Sequence, residues 1–126
     1  MEHKVRRQRK ILGGALRQVG VLGAACLYAV KNNIKRLKED HERASFLANA
    51  LNPYHCKKNG KDLHSFTNMV FFEPIEKKGS DLFSFLKNKG IIISKPCPET
   101  RLVMHLNITD EVLNSFIKTV KEFYGD

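Results

Sequence analysis

The chain has 126 residues, of which 42% are hydrophobic and 28% are charged, and its formal net charge is +9 at pH 7. A chain of this length corresponds to one domain at most, and its apolar content excludes an intrinsically disordered protein. The longest uncharged apolar run, Val19 to Val30, has 12 residues, fewer than the ~20 that a membrane-spanning helix needs, so we expect no membrane partner.

Positive charge is concentrated in the first ten residues, where five basic side chains from Lys4 to Lys10 face the single acid Glu2. Such an excess favours polyanionic partners. The segment lacks the Ser-rich character of a mitochondrial presequence and the apolar core of a secretory signal, so we expect no targeting segment.

The cysteines and histidines show no recognised ligand pattern. Cys26, Cys56 and Cys97 are odd in number and form no C-x-x-C pair, which argues against a disulfide framework or a zinc ribbon and favours a reducing, cytoplasmic location. His55-Cys56 followed by His64 has no known ligand spacing, and we therefore predict no metal site.

Two glycines, Gly13 and Gly14, follow the basic run. They lack the G-K-[ST] ending of a phosphate-binding loop and the spacing of a dinucleotide-binding fingerprint. A glycine pair at this position is more typical of a tight turn.

A long helix is predicted from Leu16 to Leu51, because apolar or small residues recur in steps of three and four until Asn52-Pro53. Its first half is apolar nearly all round, which is typical of a buried helix. Its second half is amphipathic and charged, so we expect that half to lie on a surface.

The remaining segments alternate between short strands and helices. Residues 53–66 read as a polar loop, 67–72 ("TNMVFF") and 91–94 ("IIIS") as strands, and Ser80 to Gly90 as a capped helix. The stretch 101–108 alternates with Leu102, Met104, Leu106 and Ile108 facing inward, and Thr109 caps a last helix.

This order predicts an α+β fold, in which a long N-terminal connecting helix precedes a small, mainly antiparallel sheet with helices on one face. We divide the chain into residues 1–52, the basic segment and connecting helix, and residues 53–126, a small α+β domain.

Arg101 is the strongest candidate for a binding residue. It begins a predicted strand after a turn braced by Pro96 and Pro98, and an arginine on a rigid edge can hold a carboxylate with two parallel hydrogen bonds. From spacing alone, a surface ion pair with Glu99 is the favoured alternative.

Taken together, "RKILGGALRQVGVLGAACLYAVKNNIKRLKEDHERA", "TNMVFF" and "RLVMHLNIT" resemble the C-terminal portion of low-specificity threonine aldolases. These are fold-type I pyridoxal phosphate enzymes of the aromatic amino acid β-eliminating lyase and threonine aldolase family. The resemblance runs in order from about Arg6 to Phe123. Ala15, Leu16, Met104 and Asn107 depart from the family pattern.

The resemblance implies roles for three residues. Arg101 matches the arginine that binds the substrate α-carboxylate, and Lys10 and Arg17 match a basic pair at the cofactor end of the active site. The lysine that binds pyridoxal phosphate lies upstream in the family, in an S-K-G motif. Here the only Ser-Lys pair is Ser94-Lys95, followed by proline, so Lys95 is a false match and we assign no catalytic residue.

The resemblance therefore predicts part of an aldolase that cleaves L-threonine or L-allo-threonine to glycine and acetaldehyde, inactive as this chain alone. The apolar helix predicts a homo-oligomer or association with a full-length paralogue. The alternatives are a non-enzymatic basic binding module, which the extra lysines at 57, 58 and 61 favour, and an accessory subunit that pairs through the apolar helix. We do not expect nucleic acid as a partner, because no exposed aromatic residues alternate with the basic ones.

Overall fold

The computed structural model describes residues 1–57, 60–75, 79–94 and 99–126. Contacts between Cα atoms divide the chain into two compact units, Met1–Lys35 and Arg36–Asp126. In chain order the elements are α1 (Glu2–Ile11), α2 (Gly20–Asn32), α3 (Leu37–Leu51), a 3-10 turn (Asn52–Tyr54), β1 (Ser65–Phe66), β2 (Met69–Phe72), α4 (Gly79–Asn88), β3 (Thr100–Val103) and α5 (Asp110–Tyr124).

The first unit contains α1 and α2, and neither helix has a buried residue. The glycine pair between them makes the tight turn that the sequence favours. Gly13 has φ +76°, and the N–H of Gly14 donates to the carbonyl oxygen of Arg9 at 2.8 Å. A Cβ on Gly14 would come within 3.1 Å of that same oxygen, so a side chain there would strain the turn.

The helix predicted from Leu16 to Leu51 is divided in two. α2 ends at Asn32 and α3 begins at Leu37. The side chain of Asn32 donates to the carbonyl oxygen of Tyr28 at 2.8 Å, and asparagine side chains that bond to nearby backbone groups weaken the helix at that point. The turn keeps near-helical backbone angles, with φ −103° and ψ −18° at Asn33. The helical spacing of apolar residues therefore continues across the turn, and the sequence pattern does not indicate where α2 ends.

The second unit is built around a three-stranded antiparallel sheet in the order β1-β2-β3, with Phe66 opposite Met69 and Val70 opposite Leu102. Alternate strand residues are buried, so one face of the sheet is covered. The core residues that cover it come mainly from α3, α4 and α5: Leu47, Leu51, Leu82, Leu86, Leu113, Phe116, Ile117 and Val120. The predicted α+β class is confirmed.

Two predicted strand segments differ in the structure. Residues 91–94 are not in a strand, because the N–H of Ile91 donates to the carbonyl oxygen of Leu86 at 2.9 Å and closes the end of α4. Ile91 and Ile93 nevertheless pack against the core. β3 ends at Val103, and Leu106, which was predicted to face inward, is 65% exposed.

Other local signals are confirmed. Gly90 follows α4 with φ +80°, and Thr109 caps α5 by accepting a hydrogen bond from the N–H of Val112 at 3.4 Å. The predicted polar loop 53–66 also contains the last two residues of the 3-10 turn, and β1. The proline-braced turn of residues 95–98 lies outside the described residues. The predicted division at residue 52 stays a prediction about domains. In the structure α3 contributes to the core of the second unit.

Candidate functional site

Arg101 lies on β3 opposite Phe71, and its side chain is exposed. It lines a cleft of about 560 Å³ in the second unit, which we call the Arg101 cleft. Arg101 is the one charged residue among the thirteen described residues that line it. The other twelve are Leu47, Ile91, Ile92, Ile93, Ser94, Leu102, Val103, Met104, Ile108, Val112, Leu113 and Phe116.

Among the residues that the structure describes, the guanidinium of Arg101 makes no hydrogen bond or ion pair. The alternative favoured by spacing, a pair with Glu99, is therefore not formed. Glu99 lines a different cleft, together with His55. The Arg101 guanidinium keeps its five N–H donors available for a ligand.

The strand that carries Arg101 is held at its far end by Asn68, a residue that the sequence did not single out. The Asn68 amide donates to the carbonyl oxygen of Met104 at 2.8 Å, and the N–H of Met104 donates to the carbonyl oxygen of Asn68 at 2.8 Å. Asn68 follows Thr67, whose φ is +55°, in the two-residue turn between β1 and β2. The "TN" of "TNMVFF" was the available signal, although nothing in it indicates a partner 36 positions away.

Two charged contacts give three residues of the "RLKEDHER" segment, Arg36, Asp40 and Arg43, a structural role. The guanidinium of Arg36 makes two hydrogen bonds to the carboxylate of Asp40, at 2.8 and 3.1 Å, and Asp40 is only 3% exposed. Arg43 Nε donates to Asp110 Oδ1 at 2.7 Å and so connects α3 to α5. A cleft of about 510 Å³ beside Arg43 is lined by acids that pair with it, Glu39 and Asp110.

Lys10 and Arg17, the predicted cofactor-binding pair, belong to the first unit and are both exposed. Lys10 lies in the last turn of α1, and Arg17 lies in the turn before α2. Within the described part of the chain neither side chain makes a hydrogen bond or an ion pair. Two unpaired cations suit an anionic group such as a phosphate. Arg101 belongs to the second unit.

A third cleft, of about 250 Å³, contains the His55 and Cys56 pair. The N–H of Glu73 donates to His55 Nδ1 at 3.2 Å. Burial lowers the pKa of His55 below its usual 6.5, and the carboxylate of Glu73 opposes part of that shift. Across residues 1–57, 60–75, 79–94 and 99–126, no three His, Cys, Asp or Glu side chains are placed to hold a metal ion. Cys26 and Cys56 are free thiols, and Cys97 is not among the described residues.

The chain belongs to the beta-eliminating lyase family, whose model matches residues 2–73. The chain is 39% identical over 108 residues to a low specificity L-threonine aldolase of Escherichia coli (strain K12), covering 85% of this chain and 31% of that protein. It is 34% identical over 111 residues to low-specificity L-threonine aldolase 1 of Arabidopsis thaliana, covering 84% of this chain and 30% of that protein.

A probable low-specificity L-threonine aldolase of Schizosaccharomyces pombe is 34% identical over 119 residues, which cover 90% of this chain and 29% of the relative. The chain thus spans about three-tenths of the length of the curated relatives it matches. In the described part of the chain, no helix combines the length and apolar character needed to cross a membrane.

Proposed function

We propose that this chain is part of a pyridoxal phosphate-dependent threonine aldolase, in which Arg101 binds the α-carboxylate of the amino-acid substrate. The observation that carries the proposal is the unpaired guanidinium of Arg101 on a strand fixed by Asn68. A carboxylate held by two parallel hydrogen bonds has a defined orientation. That orientation places the bond to be cleaved in the geometry that the reaction requires.

Lys10 and Arg17 are proposed to hold the anionic end of the cofactor or substrate in the assembled enzyme. Both side chains are exposed and unpaired in the part of the chain that the structure describes, so their charge is available to an anion. Pyridoxal phosphate supplies the electron sink for such a cleavage. The 126 residues contain no S-K-G motif, and we propose that they do not catalyse the reaction alone.

The apolar surface of α2 is the proposed contact with the rest of the enzyme or with a full-length paralogue. Its side chains are exposed although the helix carries few charges: Val21 is 75% exposed, Leu27 54% and Val30 61%. Exposed apolar patches of this kind mark protein interfaces. The same observation favours a second candidate function, an accessory subunit without activity of its own, and for either function we propose a cytoplasmic location.

Complementation tests the proposal. The Escherichia coli aldolase would be shortened by the three-tenths of its length that this chain matches, and expressed with and without this chain. Acetaldehyde release from L-threonine should appear only when both pieces are present. Arg101→Met should abolish most of it through a raised KM, whereas Lys118→Met, which removes an exposed cation on α5, should leave it unchanged.

Two results would count against the enzyme proposal. One is activity that is restored equally well by the Arg101→Met variant, which would remove the carboxylate role. The other is a folded complex that forms without any activity, which would favour the accessory subunit.

A further inference from the structure

We propose that the face of the three-stranded sheet that does not enter the core docks against the part of the aldolase that carries the cofactor. The inference rests on the proposed function, in which Arg101 binds a substrate that is held on that other part. It adds a second contact surface, separate from α2, and places that contact beside the substrate carboxylate.

The register of the strands determines which residues form this face. Alternate residues of β2 and β3 are buried. Phe71 lies opposite Arg101, and Met69 lies between Val103 of β3 and Phe66 of β1. Because the side chains of directly opposed residues lie on the same side of a sheet, these five side chains share the side that the core does not use. We call this surface the open sheet face.

The open sheet face has the composition of a protein interface. Phe66 is 62% exposed, and its ring meets the ring of Phe71 edge to face, with the centroids 6.1 Å apart. Met69, Phe71 and Val103 are half-buried, and none of the four apolar residues belongs to the hydrophobic core of the described chain. Aromatic residues, methionine and arginine are enriched at protein interfaces, and four of the five residues belong to those types.

The charge of Arg101 identifies the partner. Its guanidinium has no partner in the described part of the chain, and a protein that covers the apolar residues beside it would remove it from water. Burying an unpaired cation is costly, so the partner has to bring an anion. A surface that holds the amino-acid substrate brings a carboxylate, whereas a second copy of this chain would bring a second unpaired cation. The rest of each relative, beyond the three-tenths that this chain matches, is the source of such a surface.

Methionine methyl groups can report the contact directly. The chain has three methionines: Met69 lies on the open sheet face, Met104 is in the core at 4% exposure, and Met1 is exposed in the first unit. The full chain, labelled with ¹³C at the methionine methyl groups, would be titrated with the shortened Escherichia coli aldolase of the complementation test. The Met69 methyl resonance, assigned with Met69→Leu, should change its chemical shift in the complex, whereas that of Met104 should not.

Variants measure what the open sheet face contributes to binding. Phe66→Lys should weaken the affinity for the shortened aldolase, measured by calorimetry, at least about tenfold, because the lysine would have to bury its charge in the contact. Phe66→Leu should weaken it less. Phe46→Lys is the matched control, since Phe46 is 52% exposed on α3, and it should change the affinity by less than about twofold. Both phenylalanines are exposed, so urea unfolding should show that each variant stays folded.

An unchanged affinity in Phe66→Lys, or a Met69 methyl group that does not shift in an active complex, would overturn the inference while the aldolase proposal stands. A Met69 shift that depends on the concentration of this chain alone would identify a second copy as the occupant and also overturn it. A complex that requires the open sheet face but releases no acetaldehyde from L-threonine would support the inference and count against the enzyme proposal. The absence of any complex would overturn both.

Discussion

His55 is a side chain whose surroundings favour the neutral imidazole, because it is half-buried and its Nδ1 accepts the N–H of Glu73. Burial lowers its pKa below 6.5 in the folded chain. Protons therefore bind preferentially to the unfolded chain as the pH falls through the unfolded pKa of about 6.5. The contribution of His55 to the free energy of unfolding should decrease from that pH down to the folded pKa and then stop changing.

NMR titration of the His55 ring should give a midpoint below about 6.5. Urea unfolding of the wild type and of His55→Asn, compared between about pH 7.5 and pH 5, isolates its contribution, since asparagine can accept the same N–H without titrating. Parallel pH dependence of the two proteins, or a midpoint above 6.5, would contradict the described environment.

Arg36 pairs with a buried carboxylate, so replacing Arg36 should lower the free energy of unfolding more than replacing a surface cation. Asp40 is 3% exposed and accepts both of its described hydrogen bonds from Arg36. Arg36→Met would leave this charge buried and unpaired, which should lower the free energy of unfolding by about 3 kcal/mol. Adding Asp40→Leu should recover most of that loss, because no buried charge remains.

The matched control lies in the same helix. Lys38 and Glu42 form an exposed pair at 3.6 Å, so Lys38→Met should cost at most about 0.5 kcal/mol. Chemical unfolding of the four proteins measures these differences. Equal costs for Arg36→Met and Lys38→Met would show that the Arg36–Asp40 pair is not buried in solution.

At the scale of elements, one side chain of the neighbouring hairpin adds to the β2 ladder in holding the end of the strand that carries Arg101. Asn68→Ala removes the hydrogen bond to the carbonyl oxygen of Met104 and should lower the free energy of unfolding by about 1–2 kcal/mol. Asn68→Asp should cost more, since it places a carboxylate against that carbonyl oxygen. Faster hydrogen exchange at the Met104 amide would report the loosened strand end.

Asn114→Ala, an exposed position on α5, is the control for Asn68→Ala and should leave both stability and Met104 exchange unchanged. If Asn68→Ala behaves like this control, β3 is held by its ladder alone.

Whether the sequence predicts an element correctly depends on how far apart in the chain the interacting residues lie. The caps at Gly90 and Thr109 depend on residues within a few positions, and the sequence predicts them correctly. Residues 91–94 have the composition of a strand, and the strand prediction for them is wrong. The N–H of Ile91 donates to the carbonyl oxygen of Leu86, so the first of these residues closes the end of α4.

The same distinction between local and long-range signals applies to the candidate site. Arg101 was identified through the family resemblance, whereas spacing alone favoured a pair with Glu99. The Asn68 contact with Met104 spans 36 positions, and no local pattern in the sequence indicates it. Long-range contacts of this kind are visible only in the folded chain.

At the scale of the whole molecule, α2 is a helix with the composition of a core and the exposure of a surface. None of its residues is buried, and Val21, Leu22 and Tyr28 are 75%, 55% and 66% exposed. Removing such side chains from water stabilises an association by about 25 cal/mol per Å² of apolar area. We therefore expect the isolated chain to self-associate as its concentration rises, with α2 in the contact.

Sedimentation velocity over a range of about 1 to 100 μM, which corresponds to a moderate association free energy, measures this directly. The double variant Leu22→Lys and Leu27→Lys should stay monomeric at concentrations where the wild type associates, because each lysine would have to bury its charge in the contact. Leu106→Lys, which changes a 65% exposed leucine of the second unit, should associate like the wild type. A wild-type chain that is monomeric throughout would show that the exposed apolar residues of α2 do not drive self-association. A Leu106→Lys variant that alone loses association would place the contact in the second unit. Either result would weaken the case for α2 as the surface that joins this chain to the rest of an aldolase.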